Sequence, residues 1–185
     1  MFIQTEQTPN PDTLKFLPGR DVMPSGVAEY TNADEAQSNQ MAETIFALGN
    51  VERVFYGADF ISVTKSKDVE WDILKTRIMA LIMDHITAGF PFYEGTETVE
   101  SDDGAEDDEL TLQIKELLDT RVRPMVAMDG GDIVFHKFEE GIVYLQMRGA
   151  CAGCPSSTMT LKSGIENMLR HYVPEVLEVR PAEEY

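Results

Sequence analysis

The sequence predicts an α+β protein: two small α/β-sandwich-like domains joined by an acidic flexible linker, over residues 1–93, 94–109 and 110–185. Three observations predict it. The stretch EGTETVESDDGAEDDE, Glu94 to Glu109, sets acids among Gly, Ser and Thr, has no basic residue and has almost nothing to bury. Like charges repel along such a stretch, so it stays extended and solvated; at about 3.3 Å per residue it reaches roughly 50 Å at most. Before it, short apolar runs alternate with helical patterns. After it, the elements run helix, strand, strand, helix, strand, the order of a small sheet covered by helices.

In the first domain, FIQTEQ (Phe2 to Gln7) and LKFLPG (Leu14 to Gly19) read as strands joined by the turn TPNPD. Asn32 or Asp34 is positioned to cap one helix through Ala36, Met41, Ile45 and Leu48, ended by Gly49-Asn50. VERVFYGADFISVTK reads as a hairpin with its turn at Gly57-Ala58-Asp59. Trp71, Leu74, Ile78, Leu81, Ile82 and His85 then share one helical face. Trp71 is expected in the core, with Phe90, Phe92 and Tyr93 covering it. No residue pattern in this half announces chemistry.

In the second domain, Leu112, Ile114, Leu117, Leu118, Val122 and Met125 recur at helical spacing, and Pro124 is expected to kink or end that helix. DIVFHKF and GIVYLQMRG read as strands around the turn Glu139-Glu140-Gly141. A helix capped by Ser156 or Ser157 runs through Leu161, Ile165, Met168 and Leu169. VLEVR, Val176 to Arg180, closes the domain as a strand.

A hydrophobic share of 43% with 26% charged residues suits a globular protein. The net charge of −18 opposes binding to nucleic acid or to an anionic membrane, both of which demand a basic surface. The most apolar run, Ile78 to Met83, is far short of the roughly 20 residues a membrane span needs. Met1 to Lys15 lacks a basic start followed by an apolar stretch, so no export signal is expected. The location expected on these grounds is the cytoplasm of a bacterium.

The chain holds two cysteines, both in GACAGCPSST, Gly149 to Thr158. In a reducing compartment a C-x-x-C pair more often serves metal or redox chemistry than a structural bridge. The pair falls between a strand end and a helix start, where amide dipoles and Arg148 are expected to favour thiolate and where both sulfurs can point outward. Cys151 and Cys154 are therefore the candidate metal- and cofactor-binding residues. A cubane [4Fe–4S] cluster takes four thiolates, and a symmetric homodimer supplies the two that one chain lacks. A thiol–disulfide oxidoreductase uses the same local arrangement, but only one strand remains after the helix. Two thiols at this spacing are also compatible with a zinc ion bridging two chains, or with a pair that is merely incidental.

RPMVAMDGGD and GACAGCPSSTMTLK, within a segment running from IKELLDTR to HYVPEV, resemble the C-terminal domain of NifU-like iron–sulfur proteins. QTPNPDTLKFLPG through VFYGADFISVTK is similar to the Nfu N-terminal domain. The resemblance implies a non-enzymatic carrier with Cys151 and Cys154 as ligands. It implies one [4Fe–4S] cluster shared per homodimer, received from an upstream assembly scaffold and delivered to apo-enzymes such as lipoyl synthase or aconitase-type proteins. The remaining residues of note read as structural. Asp129-Gly130-Gly131-Asp132 is a helix-to-strand turn; His85, His136 and His171 are packing or surface histidines. Met125, Met128, Met147, Met159 and Met168 are adaptable core or interface residues rather than ligands.

Overall fold

The computed structural model describes residues 2–93, 108–153 and 155–182. The chain divides into two compact units, Met1–Val99 and Glu100–Tyr185. Most of the expected linker, residues 94–107, lies outside the described residues; of its last two residues, Asp108 caps the next helix and Glu109 opens it.

The first unit is built on a five-stranded sheet, ordered β1-β2-β5-β4-β3. Its strands are β1 (Gln4–Gln7), β2 (Thr13–Leu17), β3 (Ala28–Tyr30), β4 (Val51–Tyr56) and β5 (Ile61–Lys65), each pairing antiparallel. β3, three residues long, has too little pattern to be read from sequence. The expected single helix is two, α1 (Ala33–Ala36) and α2 (Gln40–Ala47). The break follows from Asn39. Its amide oxygen accepts the Ala42 N–H at 3.0 Å and the Tyr56 hydroxyl at 3.0 Å, while its nitrogen donates to the Phe92 carbonyl at 2.8 Å. A side chain held so firmly by three partners serves as a cap rather than a mid-helix residue.

The third helix, α3 (Trp71–Thr87), buries Leu74, Ile78 and Ile82 as its periodicity requires. Trp71 sits at the margin of that core, its indole N–H donating to the Pro11 carbonyl at 3.2 Å. Phe92 is buried and stacks on His85, whose Nε2 lies 2.8 Å from the Pro91 carbonyl oxygen; Phe90 stays half exposed.

In the second unit, α4 (Glu109–Leu117) runs through a π-helical turn (Leu118–Val122) into α5 (Arg123–Met128). Pro124 lies in the first turn of α5, so the regular helix is interrupted ahead of it, as expected, while the element continues through the π-helical turn. It has no N–H to offer the Thr120 carbonyl, and the widened turn absorbs the missing bond. The same turn keeps one face inward. Ile114, Leu118, Val122 and Val126 are all buried at a spacing of four residues, which in a regular α-helix drifts by about 40° per step.

Strands β6 (Gly131–Glu139) and β7 (Ile142–Gly149) form an antiparallel hairpin. Glu140 and Gly141, with φ of 51° and 80°, make its tight turn. After β7 comes α6 (Pro155–Tyr172), which crosses over to β8 (Glu178–Pro181), parallel to β7. The helix begins at Pro155; the side chains of Ser156 and Ser157, expected to cap it, lie outside the described residues. Ile133, Val143, Leu145, Ile165, Leu169 and Val179 close the core against α4 and α5. Among the described residues no helix is long and apolar enough to cross a membrane.

Candidate functional site

β7 ends at Gly149 and α6 begins at Pro155, so the C-x-x-C motif occupies the turn between them. Hydrogen bonds hold the turn's first half in place. The Ala150 N–H donates to the Gly130 carbonyl at 3.2 Å and the Ala152 N–H to the Gly149 carbonyl at 3.1 Å. The Thr158 hydroxyl, in the first turns of α6, donates to the Cys151 carbonyl at 3.1 Å. Gly149 and Gly153 take φ of 63° and 80° on either side of Cys151.

Gly131 lies directly across from Gly149 in the β6–β7 register. A β-carbon on Gly131 would meet the Arg148 carbonyl oxygen and the Cys151 Sγ, each at 2.6 Å. The sulfur thus occupies the space that any other residue at 131 would claim. The DGGD turn does more than reverse the chain: its second glycine is a cradle for the thiol.

Cys151 is 5% exposed and belongs to the buried cluster that includes Val126 and Leu169. Burial pushes its thiol up to about 12, with Asp129 and Asp132 adding to the rise. Two expectations are corrected here. The Cys151 sulfur points into the core rather than outward, and the turn holds it as thiol rather than thiolate. Loss of hydration outweighs the dipoles at a helix start once a thiol is enclosed. Arg148 does not reverse this: its guanidinium donates to Gln146 Oε1 at 3.1 Å, and its Nε is buried with no partner among the described residues. Cys154 lies outside the described residues.

The cation that does engage the site's acids is Arg123, which sequence reasoning missed. Its Nε and one terminal nitrogen donate to the two Asp132 oxygens at 3.0 and 2.9 Å, and its other terminal nitrogen reaches Asp119 at 3.3 Å. Asp132 is 3% exposed, and a carboxylate so buried needs such a partner. The available signal was an aspartate at the very start of an apolar strand, which demands a cation from a neighbouring element.

His136 and His171 are exposed, and His171 stands edge-on to Tyr172. Among the described residues no group of three or more His, Cys, Asp and Glu side chains could hold a metal ion. The buried Cys151 sulfur is not placed to open a thiol–disulfide exchange, which begins with an accessible thiolate. After α6 only β8 follows among the described residues, short of the strand pair such folds place there.

Comparison with known proteins accounts for both units. Residues 3–89 match the model of the scaffold protein Nfu/NifU N terminus, and residues 114–180 match the NifU-like domain. The chain is 54% identical to NifU-like protein 5, mitochondrial, of Arabidopsis thaliana over 95% of its own length and 66% of that protein's. It is 47% identical to the NFU1 iron-sulfur cluster scaffold homolog, mitochondrial, of Drosophila erecta over 97% of its own length and 64% of that protein's. The solution structure of a NifU-like protein from Saccharomyces cerevisiae is 28% identical, covering 51% of this chain and 85% of that one at a TM-score of 0.47. The chain thus spans just under two thirds of the curated relatives it matches. The expected bacterial cytoplasm is corrected by these relatives, which are named mitochondrial. With one family model on each unit and such identity across almost its whole length, the chain belongs to the NifU-like family, an Nfu/NifU N-terminal domain preceding a NifU-like domain.

Proposed function

We propose that the protein is an iron–sulfur cluster scaffold and carrier. Its cargo is a [4Fe–4S] cluster held between Cys151 and Cys154 of one chain and the same pair of a second copy. The observation that carries this reading is that the chain's two cysteines are spaced C-x-x-C in the sequence of its NifU-like unit, with Cys151 seated on the Gly131 cradle. The printed names of relatives as iron–sulfur cluster scaffolds support it. The cluster arrives from an upstream assembly scaffold and leaves to apo iron–sulfur enzymes, with lipoyl synthase and aconitase-type proteins the recipients the family resemblance suggests.

The chain's own chemistry in loading follows from the buried thiol. Each cysteine that takes up iron gives its thiol proton to water, and the iron–sulfur bond replaces the sulfur–hydrogen bond. Cys151 must leave the Val126–Leu169 cluster to do so, giving up the burial of one small apolar side chain, on the order of 1 kcal/mol. That modest cost keeps the empty carrier's thiol protected while leaving it available to a cluster. An incomplete ligand set per chain makes release possible by thiolate exchange with a recipient, which a fully enclosed cluster would resist.

The test is anaerobic reconstitution with ferrous iron and sulfide, followed by Mössbauer spectroscopy and native mass measurement. A cubane signal with about one cluster per two chains is expected, lost in Cys151→Ser and in Cys154→Ser. Iron loading untouched by both substitutions would overturn the proposal.

A further inference from the structure

Glycines stand at both ends of the three residues Ala150, Cys151 and Ala152. Gly149 and Gly153 take φ of 63° and 80°, a region glycine enters freely and other residues rarely. Between them the segment is held inward. The Ala150 N–H bonds the Gly130 carbonyl and the Ala152 N–H bonds the Gly149 carbonyl, both through backbone groups. Cys151 itself is held by a side chain. Thr158, seven residues on and half-buried in α6, donates its hydroxyl to the Cys151 carbonyl at 3.1 Å.

We infer that Thr158 is a latch on the cysteine: its hydroxyl keeps Cys151 seated against Gly131 in the empty chain and lets go when iron is taken. The inference rests on the carrier reading above and names the residue that sets how readily the thiol is presented. Cys151 is 5% exposed with its backbone included, and Gly149 and Ala150 beside it are buried. Turning the sulfur about its own Cα–Cβ bond leaves that backbone enclosed, so a sulfur that reaches a cluster has to be lifted together with its peptide. The two glycines are where the chain can absorb the change in dihedral angles. Gly149 is anchored in the sheet by its pairing with Gly131, and the Ala150 bond lies beside that pivot. The Thr158 bond lies on the residue that moves, so it has to part. A neutral hydroxyl–carbonyl bond suits this role, being weak in net terms, and a half-buried threonine finds water once the bond is gone. Thr158 touches no iron; it is a positioning residue that acts through Cys151.

The test labels the empty full chain with iodoacetamide under native conditions and reads Cys151 by fragment mass spectrometry in wild type, Thr158→Val and Thr158→Ser. Valine keeps the shape and removes the hydroxyl; serine keeps the hydroxyl. Labelling runs about threefold faster in the valine variant and within about 1.5-fold of wild type in the serine variant. The faster rate stays flat in urea below the unfolding transition, because the opening is local rather than global. In a second measurement, after anaerobic loading, the chelator concentration that strips half the cluster rises about threefold in Thr158→Val. A latch that holds only the empty form opposes loading by the same factor by which it hides the thiol. Damage to packing alone would make the cluster easier to strip. An unchanged labelling rate in Thr158→Val, equal acceleration by valine and serine, or a stripping point that stays or falls each overturns the inference and leaves the carrier reading standing. A wild-type chain that takes up no cluster overturns the carrier reading, and the latch with it.

Discussion

The sulfur of Cys151 lies where a side chain on Gly131 would stand, 2.6 Å from the position of its missing β-carbon. The carbonyl of Arg148 closes the same space from the backbone side at 2.6 Å. The turn can seat its thiol only because residue 131 has no side chain.

Gly131→Ala must therefore displace either the sulfur or the β7 backbone. The expected loss of stability is about 1–3 kcal/mol in the second unit, as for other overpacked sites. Gly164, inside α6, supplies the control. A β-carbon there meets nothing within 4 Å, so Gly164→Ala should stabilise the same unit by about 0.5–1 kcal/mol. Urea unfolding of both variants checks this; equal effects of the same sign would refute the cradle.

Burial that pushes the Cys151 thiol up to about 12 makes it slow to react. At pH 8 its alkylation in the native empty chain should run roughly fivefold slower than in the denatured chain, because the thiolate forms only when the sulfur leaves its buried cluster, at the cost of about 1 kcal/mol given above. The sign for stability follows from linkage. The folded state binds this proton more tightly than the unfolded chain, so the contribution is complete below the ordinary value of 9.0 and is lost as pH rises toward 12. Iodoacetamide labelling read at Cys151 by mass spectrometry decides the matter, and similar rates in both states would show an accessible thiolate.

Arg123 compensates the charge of buried Asp132. Arg123→Ala leaves that carboxylate without its fork of donors. The cost is about 2 kcal/mol, below the usual figure for a broken buried pair because the Arg123 side chain is 41% exposed to water. Adding Asp132→Asn removes the stranded charge and should restore part of the loss. Asp132→Asn should also speed alkylation of Cys151, since Asp132 is one of the charges that raise the thiol. Double-mutant unfolding measurements with labelling rates test both statements; purely additive losses would argue against the coupling.

Each unit has a hydrophobic cluster of its own, one around Phe16, Val54 and Ile78 and one around Ile114, Leu145 and Ile165. A chain beginning at Asp108 should accordingly fold and take up iron to the extent the full chain does. Its iron and sulfide content per chain is the measurement, and failure to load would assign the first unit a part in cluster binding rather than in choice of partner or access.

Much of this protein is legible in one dimension. The α-β-β-α-β order of the second unit, the β4–β5 hairpin and α3 follow from apolar spacing and turn residues, because each element buries its own repeating face. The pairing of Cys151 with Cys154 as the only available thiols is likewise a property of the chain alone. Elements that depend on partners far along the chain were not legible. Asn39 splits a continuous helical pattern because Tyr56 and Phe92 arrive to bond it. Arg123 and Asp132 meet only once α5 lies against the start of β6. Whether the Cys151 thiol faces water or the core was decided by Gly131, at the far end of the β6–β7 hairpin in sequence, and by the apolar side chains packed around the sulfur. Spacing states which groups a chain can offer; enclosure by distant residues sets their protonation and reach, because desolvation depends on everything that surrounds an atom rather than on its neighbours in sequence.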